Sequence, residues 1–160
     1  MPAIFPAPDH DHERCSADAM AHAEALCTAR GQRLTPLRRQ VLETLAESHK
    51  TLGAYEIMDR MAAQGPRPAP ITVYRALDFL LENGLVHRIE SRNAFLACIG
   101  GHEEGAGTTV FLICERCGAV GEANSKAVAD MLQRAASAAG FTPKARVIEV
   151  TGVCAHCSGG

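Results

Sequence analysis

At 160 residues, 47% of them apolar and only 4% aromatic, the chain suits one compact domain or two small ones and is too apolar for wholesale disorder. A formal net charge of −2 excludes polyanion binding by bulk charge, and no apolar run approaches the length that spans a bilayer. The opening residues do not read as an export signal, so a cytoplasmic chain is expected, and there seven cysteines, an odd number, favour metal ligation over a disulfide framework.

Residues 1–16, rich in Pro, Asp and His, are expected to form a flexible tail, in which Asp9-His10-Asp11-His12 would hold metal only loosely. A helix follows over Asp18–Arg30, with Ala19, His22, Ala23, Leu26 and Cys27 at helical spacing. Residues 28–42 then carry Arg30, Arg33, Arg38 and Arg39 and no acid, a local positive stretch that the net charge hides. Within it Thr35-Pro36 has the form of an N-cap and a first helical Pro, and Leu37, Val41, Leu42 and Leu45 continue as one apolar stripe. A third helix is expected over Ala54–Gln64, burying Tyr55, Met58, Met61 and Ala62.

The fourth helix has the plainest pattern. Thr72 is expected to cap it and Gly84 to stop it, while Val73, Ala76, Leu77, Leu80 and Leu81 face a core. Tyr74, Arg75 and Asp78 are left pointing outward, the first two in the opening turn. The period then changes to two, giving strands over Leu85–Ile89 and Ala94–Cys98 around the turn Ser91-Arg92-Asn93. Short helices followed by a hairpin are the order of a winged helix-turn-helix, so residues 17–93 form the expected DNA-binding domain, with Tyr74 and Arg75 on the recognition helix.

Residues 94–99 serve as a connector, and residues 100–160 form an expected α/β domain of dimerisation and metal binding, which makes the chain α+β overall. Its order is strand from Val110, strand over Ala119–Gly121, helix over Ser125–Ala139 and strand over Ala145–Val150. The helix carries Val128, Met131, Leu132 and Ala135 on one side. So small a sheet leaves one side uncovered, and pairing with a second copy is the natural remedy.

Two CxxC pairs punctuate this domain: Cys114 and Cys117, then Cys154 and Cys157. Each pair follows a strand, and together they complete a tetrahedral thiolate shell for a structural Zn²⁺ with no open position for chemistry. A thioredoxin-like pair would open a helix, and CERCG and CAHCS have the form of knuckle turns instead. A deaminase would use His102-Glu103-Glu104 with Cys114 and Cys117, but no Pro precedes Cys114 and the second pair is left over.

The segments RLTPLRRQVLETL, ITVYRALDFLLENGLVHRIES, NAFLAC and ICERCGAV together resemble the ferric uptake regulator family, and within it the zinc uptake regulator branch. The resemblance runs from about Ala23 to Cys157. It implies a winged-helix DNA-binding domain, a dimerisation domain and zinc-dependent repression of zinc uptake genes, with two Zn²⁺ per chain and no enzymatic activity. Cys114, Cys117, Cys154 and Cys157 fall on structural zinc ligands. His87, Cys98 and Glu122 fall on regulatory metal ligands. The segment GTTVFLIC before the first pair has no His, which leaves His102 as the nearby fourth candidate. Tyr74 and Arg75 fall on the DNA-reading helix, and Thr72, Arg33, Arg38 and Tyr55 complete the surface expected to meet operator DNA. A thiolate among the regulatory ligands suits Zn²⁺ better than Fe²⁺ or Mn²⁺. The alternatives are an iron-, manganese- or peroxide-responsive member of the same family and, in a different class, a zinc-dependent enzyme or a zinc store.

Overall fold

The structure, a computed structural model, describes residues 4–7, 9–98, 108–144 and 147–159. It divides into two compact units, residues 9–101 and residues 102–160 together with the N-terminal stretch before residue 9. No helix among the described residues is long and apolar enough to cross a membrane.

The first unit is built from α1 (His12–Ala29), α2 (Pro36–Ala46), α3 (Ala54–Ala62), α4 (Pro70–Glu82), β1 (Val86–Ile89) and β2 (Ala94–Ala97). Helix α1 starts six residues before the expected Asp18, inside the stretch expected to be a tail. The cause is a cap: the Asp11 carboxylate accepts the Arg14 backbone N–H at 3.1 Å, satisfying a donor that would otherwise be orphaned. At α2 the Thr35 hydroxyl accepts from the Arg38 N–H and Pro36 takes the first helical position, as the sequence indicates. Helix α3 begins after Gly53, whose N–H donates to the Glu56 carboxylate at 2.7 Å.

Helix α4 departs from expectation at its start. Its N-cap is Ala69, not Thr72, and Pro70 is its first residue. Pro suits that position because its fixed φ is already helical and its missing N–H would have been unpaired there. Tyr74 and Arg75 consequently sit in the second turn rather than the first. Gly84, at φ +68°, ends the helix, with its N–H donating to Leu81 C=O and that of Leu85 to Leu80 C=O. A Cβ at that φ would be strained, so Gly is the residue that permits this stop.

Val41, Leu42, Leu45, Ile57, Met58, Val73, Leu77 and Leu80 fill the core these helices share. Two stripe assignments fail. His22 is exposed and Met20 takes the buried place on α1, while Tyr55 is 61% exposed on α3. An α1 longer than its apolar pattern lets register be set by Ala23 and Cys27, which rotates His22 outward. The wing is an antiparallel pair in which Val86 faces Ala97 and His87 faces Leu96, turning through Asn93 at φ 46°. Phe95 also exchanges both backbone hydrogen bonds with Leu52, which ties the segment before α3 to the wing.

The second unit contains β3 (Thr108–Cys114), β4 (Val120–Ser125), α5 (Lys126–Ala138), β5 (Ile148–Gly152) and the single turn α6 (Ala155–Ser158). The sheet order is β4-β3-β5, antiparallel on one side of β3 and parallel on the other. The parallel pair requires a crossover, which α5 supplies. The apolar side of α5 is largely exposed. Ala129 is the buried residue of the helix, while Met131 is 64% exposed and Leu132 and Ala135 are exposed too. Phe141, Val147 and Val150 add to the same unit's apolar exposure. One copy of a three-stranded sheet has no second layer to offer this side. Were a second copy to cover this side, Met131→Glu would be expected to weaken self-association by roughly 100-fold, because an unpaired charge in a desolvated interface costs about 3 kcal/mol. Sedimentation equilibrium measures it, and an unchanged mass distribution contradicts a role for this face.

At the N-terminal end Ile4 lies against Gly121 of β4. A Cβ there would come within 2.6 Å of Ile4 Cγ2 and 2.9 Å of the Ile4 carbonyl oxygen, so only Gly permits the approach.

Candidate metal centre and nucleic-acid interface

Topology brings the four thiols of the two pairs together. Strands β3 and β5 run parallel, with Cys114 opposite Gly152, so the turn that leaves β3 and the turn that leaves β5 emerge at the same end of the sheet. The first turn is closed by the Gly118 N–H donating to Cys114 C=O at 3.0 Å and the Cys114 N–H donating to Ala119 C=O at 2.9 Å. The second is closed by the Cys157 N–H donating to Cys154 C=O at 3.0 Å. Arg116 fastens one turn to the other through a 2.7 Å bond from its guanidinium to Cys157 C=O.

The sulfurs of Cys114, Cys117, Cys154 and Cys157 all lie within 4.8 Å of one another. Cys117 and Cys154 approach to 3.9 Å. A tetrahedral Zn²⁺ with Zn–S bonds of ~2.3 Å separates its sulfurs by about 3.8 Å, so the cluster has the dimensions of that ion. Its electrostatics agree. The backbone N–H groups of Cys117 and Cys154 point at Cys114 and hold its thiol down at about 6, stabilising a thiolate. The hydrogen-bonded sulfur of Cys154 pushes Cys157 up to about 12. Four thiolates at this range repel, and a divalent cation removes the conflict while displacing protons. An ion held by all four sulfurs would have no open coordination position, the arrangement of a centre that holds structure rather than one that performs chemistry.

Of the regulatory candidates, His87 and Cys98 belong to the first unit. Because His87 faces Leu96 across the hairpin, Cys98, two residues on, projects from the same face as a diagonal neighbour of His87. Glu122 lies on β4 opposite Phe111 in the second unit, half-buried, and burial pushes its carboxyl up to about 7. His102 lies outside the described residues.

The other candidates line up on the exterior of the helical unit. Thr72, Tyr74, Arg75 and Asp78 of α4 are exposed. Tyr74, at 44% exposure, and Tyr55 line one groove of about 250 Å³ together with Asp78, Arg88 and Asn93. Apolar aromatic surface held out of the core in this way is suited to a partner. Arg33 is exposed as well. Arg38 is not a loose charge. Its guanidinium lies 3.5 Å from the centroid of Phe79 on α4 and donates to Arg33 C=O at 2.7 Å, while the adjacent Arg39 pairs with Glu24 on α1. Arg88, absent from the expected set, faces this groove from the wing, steadied by a 2.9 Å bond to Asn93 Oδ1. Its signal in the sequence is a lone base on a polar-facing strand position beside the turn, which is too common a pattern to single out.

The sequence profile described as "Ferric uptake regulator family" matches residues 29–151. The zinc uptake regulation protein of Escherichia coli is 40% identical over 142 residues, covering 88% of this chain and 81% of its own length. A solved zinc uptake regulator complexed with zinc and DNA superposes with a TM-score of 0.81 at 39% identity, over 90% of this chain and 95% of that one. The holo form of XcZur gives 0.80 at 42% identity, over 91% and 99%.

Proposed function

The chain belongs to the ferric uptake regulator family, and from that premise we propose that it is a zinc-responsive transcriptional repressor, gripping operator DNA when zinc is plentiful and so controlling zinc uptake genes. The carrying observation is the pairing, in one chain, of a closed four-thiolate centre with a helical unit whose α4 keeps Tyr74 and Arg75 in solvent. Identity of 40% to a zinc uptake regulation protein supports zinc as the metal, and a similar protein has been seen with zinc and DNA together. It is not an enzyme. It acts in the cytoplasm, where operator DNA and reduced thiols coexist.

Two ions per chain serve the mechanism. One, in the four-thiolate centre, fastens the end of β5 to the turn after β3. The other, held by His87, Cys98, Glu122 and His102, is the sensed ion. His87 and Cys98 share one face of the wing hairpin, and Glu122 belongs to the other unit, so this ion would restrain the DNA-binding unit relative to the dimerisation unit. In a dimer, that restraint fixes the spacing of two recognition helices to that of successive half-sites on one face of the duplex. By linkage, zinc tightens DNA binding by the factor by which DNA tightens zinc binding. The exposed apolar face of α5 supports the dimer, because a second copy covers it.

Operator titration by fluorescence anisotropy, with inverted-repeat DNA and Zn²⁺, Fe²⁺ or Mn²⁺ in turn, tests the reading. Tight binding with Zn²⁺ alone is expected. Binding that needs Fe²⁺ or Mn²⁺ would move the chain to another branch of the family. On the same assay Arg75→Ala should relax preference at one base pair, at a cost of about 1–3 kcal/mol. A uniform loss on all DNA would make Arg75 a phosphate contact instead.

A further inference from the structure

His10, His12 and His49 lie outside every site described so far, and they come from two segments of the helical unit. His10 and His12 flank Asp11, the N-cap of α1, and His49 sits in the segment that leaves α2. His10 Nε2 and His49 Nε2 are 2.6 Å apart, and the ring centroids lie 4.1 Å (His10 to His12), 4.6 Å (His10 to His49) and 5.1 Å (His12 to His49) from one another. One ring nitrogen from each falls within 4.8 Å of the other two. His49 is only 8% exposed, and its Nδ1 has no hydrogen-bond partner among the described residues. Burial, and then the neighbouring His10 and His12, push it down to about 4.

We propose that His10, His12 and His49 form a further Zn²⁺ site, made of imidazoles alone and contained wholly within the helical unit. Neutral imidazole nitrogen selects borderline cations such as Zn²⁺ over Ca²⁺ or Mg²⁺, which prefer oxygen. The one carboxylate between the two tail histidines, Asp11, is committed to capping α1. The shell is therefore three nitrogens with a fourth position open to water. Two imidazole nitrogens on a tetrahedral Zn²⁺ stand about 3.3 Å apart, so His10 Nε2 and His49 Nε2 need to part by less than an ångström to share the ion. A groove alongside is walled by His12, Glu13, Glu43 and Glu47, whose carboxylates favour a cation over an anion. Without thiolates the site binds more weakly and exchanges faster than the four-thiolate centre. When filled, it clamps the start of α1 to the segment after α2.

Full-length reduced protein, with its other zinc sites filled, is titrated with Zn²⁺ against a chromophoric chelator and with Co²⁺ as a spectroscopic probe. Wild type is expected to take up one ion per chain more than a His10→Ala/His12→Ala variant. Its added Co²⁺ should show ligand-field bands without a sulfur-to-cobalt charge-transfer band. Equal uptake by the two proteins overturns the proposal, as does a charge-transfer band that the double variant keeps. His49→Ala is the second arm. It should lose the same ion, and retention of that ion by H49A reduces the site to chelation by the tail and also overturns the proposal. The tail variant leaves the core untouched, so folding does not confuse the comparison. Operator affinity plays no part in the readout, which separates this result from the fate of the repressor reading.

Discussion

Cys154→Ser is expected to cost the second unit its zinc and its fold together. A structural Zn²⁺ site is worth an apparent ~10–16 kcal/mol near neutral pH, comparable with or larger than the ~5–15 kcal/mol by which a whole domain is stable. The second unit has little else to draw on. Its sheet has three strands, its buried apolar side chains are few, chiefly Val110, Phe111, Ile113, Val120 and Ala129, and Met131, Leu132, Phe141, Val147 and Val150 are exposed. Cys154 is the buried ligand of its pair, and its N–H donates to the Cys114 sulfur, so a hydroxyl in its place weakens metal and turn alike. Zinc analysis should show that ion lost, size exclusion a monomer or aggregate, and operator binding none. A C154S chain that keeps its dispersed amide NMR spectrum and its full complement of zinc contradicts the account of the centre.

The second large effect belongs to Cys98→Ser and has the opposite character. The fold and the four-thiolate zinc stay, and the response to zinc disappears. Cys98 sits at the end of the wing with its N–H donating to Leu85 C=O, and that backbone bond survives the change of sulfur to oxygen. Coupling between two sites is typically ~1–3 kcal/mol, and a dimer has two such sensing sites. Operator affinity in saturating zinc should therefore fall by roughly 100-fold or more, to the zinc-free level. Anisotropy titration measures the loss, and circular dichroism with zinc analysis verifies that the protein is intact. Wild-type affinity in C98S removes Cys98 from the sensing set.

Much of this was legible in the residues, for identifiable reasons. The four-thiolate centre is written in spacing that few other chemistries use, and each pair follows an apolar strand. The face of α4 follows from a 3.6-residue period over a long run, which leaves Tyr74 and Arg75 outside whichever residue begins the helix. Where the reading failed, a local rule lost to another interaction. Thr72 looks like a cap, but Pro70 ahead of it already starts the helix. Tyr55 fits an apolar stripe, yet Ala54, Ile57, Met58 and Met61 fill the core side of α3 and leave the ring outside. The α5 stripe is apolar in its sequence, but periodicity cannot say whether the covering surface belongs to the same chain. His49 could not be foreseen at all, because nothing local marks a single histidine that meets His10 from 39 residues away along the chain.

The order β4-β3-β5 leaves β5 on the outside of its sheet, with no strand beyond it among the described residues. An edge strand presents a row of backbone N–H and C=O groups with which an extended peptide could pair, so it is a potential template as well as a structural part. In a cell that overproduces the protein, chains that have not yet met a mate offer this template to one another and to unrelated nascent polypeptides. Chaperone demand and inclusion-body formation should then rise with expression level rather than with temperature alone, and a lysine introduced at Thr151 should relieve both.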